Sequence, residues 1–69
     1  MNNYVINGYT VLFIKGEGDT SDNRIFFCET SAEIGKILEK EFWSYWDSFK
    51  VFAEAFNMTT GAFETIQLP

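Results

Sequence analysis

The chain has no histidine and a single cysteine, Cys28. Without histidine, the side chain that most often works as general acid and base near neutral pH is missing. With one cysteine no internal disulfide can form, which fits a reducing compartment. Bases are scarce: Lys15, Arg24, Lys36, Lys40 and Lys50 stand against ten acids, for a net charge of −5, and no cation follows Lys50. Nucleic acid is therefore not expected as a direct ligand, since binding it takes cations that neutralise phosphates. Long apolar runs are also lacking. VLFI at residues 11–14 falls far short of the roughly 20 residues of a membrane-spanning helix, and no leader pattern is visible. The expectation is a complete, small cytoplasmic protein with no membrane contact.

What the chain does have is aromatic side chains. Hydrophobic residues make up 46% of its 69 positions and aromatics 19%, too apolar for a disordered chain. One domain, residues 1–69, is expected. A chain of this length buries only about 60% of the surface its unfolded form exposes. Each ring can bury about 150–250 Å², so some apolar surface is expected to stay open or to meet a partner. The densest stretch is EFWSYWDSF, Glu41 to Phe49, which holds both tryptophans.

The first half reads as strands. Tyr4-Val5-Ile6 runs into Asn7-Gly8, and Tyr9 to Lys15 follows. Asn-Gly between two β-rich runs predicts a tight hairpin. GEGDTSDN, residues 16–23, has no apolar anchor and reads as a loop. Arg24 to Glu29 reads as a third strand. The period then changes. Thr30-Ser31-Ala32-Glu33 forms a capping box. Ile34, Leu38, Phe42, Tyr45 and Trp46, then Phe49, Phe52, Ala53 and Phe56, fall within an arc of about 100° on a helical wheel. One helix over residues 31–57 would be about 40 Å long. Two helices, with a break near Phe42 to Tyr45, are expected instead. Gly35 lies mid-helix on the apolar arc, where a close approach to the sheet would compensate for it. Ala62 to Leu68 reads as a last strand. The expected fold is α+β: an antiparallel meander of three or four strands packed on two helices, in the order βββααβ.

The chemistry of catalysis has little to stand on. Cys28 lies between Phe27 and Glu29 in a predicted strand and has no histidine to activate it; a buried, inert thiol is expected. Glu33 is used as a cap. The loop acids Glu17, Asp19 and Asp22 with Asn23 could offer oxygen ligands to calcium, but their spacing matches no known calcium loop. Neither an enzyme nor a cofactor is expected.

Recognition is better supported. Val11, Leu12, Phe13 and Ile14 make both faces of their strand apolar, and Ile25, Phe26, Phe27 and Cys28 do the same. Helices can cover one face. The other needs the C-terminal segment, a second copy of the chain or another partner. Trp43 falls off the helical stripe, and packs at a helix joint or faces a partner. Glu39, Glu41, Asp47 and Glu54 can lie beside it, with Glu17, Asp19 and Asp22 on the loop. Together these residues form the candidate partner-binding surface, suited to a basic groove on another protein. Lys36 and Lys40 can also pair with Glu33, Glu39 or Glu41.

The hairpin YVINGYTVLFI, the acidic loop GEGDTSDN and the segment EKEFWSYWDSFKVFAEAF together resemble the plan of small acidic phage-encoded inhibitors of the anti-CRISPR type. That resemblance implies a stoichiometric, non-catalytic blocker acting in the host cytoplasm. Its partner would be a larger host protein or protein–nucleic-acid complex, such as a CRISPR-Cas effector, with a basic site that normally binds nucleic acid. The alternative is a small homodimeric structural or interaction protein whose second sheet face is its dimer interface.

Overall fold

The computed structural model describes residues 3–18 and 22–69. Its elements are β1 (Tyr4–Lys15), β2 (Asp22–Cys28), α1 (Ser31–Glu41), β3 (Ser48–Asn57) and β4 (Ala62–Gln67). The four strands form one antiparallel sheet in the order β2-β1-β3-β4. This corrects the expected βββααβ plan in two places.

The first is Asn7-Gly8, which is not a turn. β1 runs straight through it, and both of its halves pair with β3, from Tyr4 opposite Asn57 to Ile14 opposite Ser48. The register shifts between Ile6 and Gly8, which leaves Asn7 as the extra residue of a β-bulge. A hairpin would have given Tyr4, Val5 and Ile6 only a three-residue ladder. The bulge keeps them in the long one. Gly8 takes no left-handed φ. It is needed for space: a Cβ there would lie 2.9 Å from the Cys28 carbonyl oxygen and 2.9 Å from Cζ of Phe27.

The second correction is the missing second helix. α1 begins with the expected capping box, in which Glu33 Oε2 accepts from the Glu29 and Thr30 amides at 3.0 and 3.1 Å. It stops at Glu41, close to the expected break, with Phe42 in an extended conformation. The chain then turns and re-enters the sheet as β3. SFKVFAEAFN satisfies a period of two as well as a helical one. Phe49, Val51, Ala53 and Ala55 point to one face, Phe52, Glu54 and Phe56 to the other. As a strand it pairs on both edges, with β1 and β4. An isolated second helix would have left β1 without its longest partner. Gly35 is a smaller correction: a Cβ there meets nothing within 4 Å, so no close approach to the sheet explains it.

The core lies on one face of the sheet. Val11 and Phe13 of β1 are fully buried under α1 and the 42–47 segment, with Trp46 beside them. Phe13 contacts the rings of Phe26, Phe42 and Trp46 at centroid distances of 5.1, 5.1 and 5.7 Å. Ile34, Ile37 and Leu38 close the cluster from the helix. The opposite face carries Leu12 and Ile14, Ile25 and Phe27, Phe52 and Phe56, and Phe63, as the pairing dictates. The C-terminal segment does not cover it, because that segment is β4, an edge strand of the same sheet.

Candidate functional site

A surface that gathers exposed aromatic and acidic groups lies at one end of the sheet. There β1 ends, β2 begins and the 42–47 segment crosses over. The Asp47 amide donates to the Ile14 carbonyl at 2.9 Å, which docks this segment on β1. Its carboxylate accepts from the Gly16 amide at 2.8 Å and meets Lys15 Nζ at 3.5 Å. The Gly16 amide, and after it the Lys15 charge, hold the Asp47 carboxyl below its ordinary range.

Two further rings are fixed by this clamp. The Tyr45 hydroxyl donates to Asp22 Oδ2 at 2.8 Å, and its ring meets Trp46 edge-on at 5.0 Å. The accepting carboxylate of Asp22 raises the Tyr45 phenol above its ordinary value. Trp43 stacks on Tyr45, with centroids 5.5 Å apart and planes 25° from parallel. Trp46 faces inward and is buried, while Trp43 is 62% exposed. Trp43 is thus an outward ring held by stacking, not a core residue at a helix joint. Lys15 Nζ lies 5.4 Å from the Tyr45 ring centre, and the Arg24 guanidinium 5.9 Å from that of Trp46. Asp22, Asn23, Arg24, Trp43, Tyr45 and Trp46 line a shallow depression of ≈ 420 Å³.

Of the eight residues expected on a partner-binding surface, Trp43, Asp22 and Asp47 come together here. Glu17 follows Gly16, the residue that Asp47 clamps. Asp19 lies outside the described residues, and with it part of the acidic loop and of the calcium reading. Glu39 and Glu41 are on α1, and Glu41 lines a different cavity, of ≈ 760 Å³, between α1 and β2. Glu54 is on the opposite sheet face, where it accepts from Thr10 at 2.8 Å and from Thr65 at 2.7 Å. The expected surface is therefore two or three separate ones, and its acids are partly spent on internal contacts. Lys36 and Lys40 close no ion pair among the described residues.

Sequence reasoning placed Tyr45 in the core, because it shares the stripe of Leu38 and Phe56. The structure makes it half of the exposed shelf. Its signal was present in Tyr45-Trp46-Asp47, which follows a helix end. A polar cluster at the far end of the sheet had no such signal. The Tyr4 hydroxyl donates to Glu64 at 3.1 Å, and Asn57 Nδ2 to Glu64 at 2.9 Å. Only the strand register brings these three together. Cys28 is buried, and burial followed by the nearby Glu33 charge pushes its thiol above the ordinary value.

Comparison with protein-family models, with curated proteins and with solved structures gives no significant match. No helix among the described residues is long and apolar enough to cross a membrane.

Proposed function

We propose that this protein acts by binding another protein, without catalysis, through the Trp43–Tyr45 shelf. The observation that carries the reading is the exposed Trp43, stacked on a tyrosine that Asp22 holds in place. A rigid, solvent-facing tryptophan with little side-chain entropy left to lose is the kind of group that anchors protein interfaces. Its rim is mixed: Asp22 and Asp47 stand beside Lys15 and Arg24. The whole chain carries −5, so approach to a basic surface is favoured over approach to an acidic one. A basic nucleic-acid-binding site on a larger complex is a suitable target, and a chain docked there would block it. This is the inhibitory mode that the resemblance to small phage inhibitors implies.

The test uses lysine- and arginine-rich peptides as probes of the basic surface. Titrated against the protein at low salt, they should quench or shift tryptophan emission. The response should vanish in Trp43→Ala and weaken several-fold at 0.5 M salt. The melting temperature of Trp43→Ala should stay within about 2 °C of the parent, as for other exposed substitutions. Peptide binding that is unchanged in Trp43→Ala, or indifferent to salt, would sink the reading.

A further inference from the structure

We infer that the uncovered face of the sheet is the interface of a homodimer, in which two copies pack face to face about a twofold axis near Phe52. This proposal is independent of the Trp43 shelf, which lies toward one end of the molecule. The face holds two apolar patches. Leu12, Ile14 and Ile25 form one, and Val5, Phe56 and Phe63 form the other, toward opposite strand ends from Phe52, while Phe27 is level with Phe52 on β2 and reaches over Gly8. Ile25 is 67% exposed, Phe27 64% and Phe63 77%. Contiguous apolar area of this kind is rarely left open on a monomer.

Charge selects a second copy over a different partner. The chain is acidic, yet among the described residues the charged side chains on this face are one cation, Lys50, and one anion, Glu54. A neutral face lets two copies of a −5 chain meet without repulsion across the contact, and offers neither a strongly basic nor a strongly acidic partner much to read. Lys50 and Glu54 also sit two residues to either side of Phe52 on β3, pointing the same way. A twofold axis that crosses the strands at Phe52 therefore sets Lys50 of each copy over Glu54 of the other, twice. The same operation lays Ile14 over the Val5 end of the partner's strand. Self-complementarity of this kind is what an isologous interface requires. Aligned sheets packed about 10 Å apart are a common arrangement, and bring long side chains within reach across the gap. The area suffices: the molecule spans 40 × 28 Å across its broad faces, and a stable interface takes about 800 Å² from each partner.

Sedimentation equilibrium on the whole chain, from micromolar to millimolar concentration, tests the proposal. The expected mass is that of two chains of 8.0 kDa, about 16 kDa. Ile25→Lys and Phe27→Asp replace exposed side chains on an edge strand, so the fold should survive, as far-ultraviolet circular dichroism would report. Each should weaken dimerisation at least tenfold. Lys50→Glu alone and Glu54→Lys alone should weaken it too, and the double exchange should recover most of the loss. A mass of one chain at every concentration overturns the dimer and leaves the face to a different protein. Dimers that ignore Ile25→Lys and Phe27→Asp overturn this interface. Dimers that respond to those two, but whose charge exchange shows no recovery, overturn the Phe52 axis. Trp43→Ala serves as the control and should dimerise like the parent.

Discussion

At the scale of single residues, two positions carry more than their size suggests. Gly8 occupies the bulge in β1, where a Cβ would be 2.9 Å from a backbone carbonyl oxygen that cannot move aside easily. Gly8→Ala should therefore destabilise the protein by about 1–3 kcal/mol, the usual range for overpacking. Chemical denaturation would show it as a lower midpoint with an unchanged slope. Glu33 acts through its charge. Hydrogen bonds from the Thr30 and Glu29 amides hold its carboxyl below the ordinary value of 4.5. A lowered folded-state value means a stabilisation that is fully present above about 4.5 and fades as pH falls through the folded value. Tyr45 and Tyr4 work the other way. Their carboxylate acceptors, Asp22 and Glu64, raise both phenols above 10.0, so their contribution is complete below that pH and fades as pH rises through the raised values. Stability should fall on both flanks, read from melting temperature against pH. Glu33→Gln should flatten the acid flank, and Tyr45→Phe the alkaline one. If neither substitution changes its flank, these contacts do not form in solution.

At the scale of elements, β3 is where the sequence and the structure part. In FKVFAEAF the large side chains Phe49, Phe52 and Phe56 recur at helical spacing, while the small Ala53 and Ala55 hide the alternation. A wheel places Ala55 about 115° off the apolar stripe, exposed to solvent. The strand buries it completely, at 1% exposure, opposite Ile6 and Glu64. Ala55→Leu separates the two readings. In a helix an exposed Ala-to-Leu change is nearly neutral. In the strand it should cost about 1–3 kcal/mol by overpacking, measurable by the same denaturation. Elements with strong local signals were legible: α1 with its capping box, β2, β4 and the helix end near Phe42. The Asn7-Gly8 turn and the second helix were not, for one reason. Both are local preferences overridden by pairing between β1 and β3, which runs from Ile14 opposite Ser48 to Tyr4 opposite Asn57, far apart along the chain. The candidate site divides in the same way. Being off the stripe left Trp43 open between a helix joint and an outward ring, and the fold makes it outward; Tyr45 and Glu54 went astray because their surroundings depend on that pairing.

At the scale of the whole molecule, the core is thin. Among the described residues the fully or nearly buried hydrophobics are Val11, Phe13, Cys28, Trp46, Ala53 and Ala55, and of these Val11 and Phe13 are the large, completely enclosed ones. A 69-residue chain with so small a core has little stability to spare. Meanwhile Phe27, Ile25 and Phe63 spend their apolar surface on water. Covering that face with a second copy would move it from the debit to the credit of folding, and this has a thermal signature. Where the folded state is a dimer and the unfolded chain is not, mass action makes the melting temperature rise with concentration. Each tenfold step adds about 1.4 kcal/mol per dimer, or about 0.7 per chain, which in a domain of this size corresponds to about 3–5 °C. Scanning calorimetry at 10 μM, 100 μM and 1 mM should show this progression in the parent and in Trp43→Ala. Phe27→Asp should melt lower than the parent at 1 mM and at one temperature throughout the range, since its chains unfold singly. A parent whose melting temperature holds constant across the two decades would mean that the thin core stands alone, with its apolar face open to solvent.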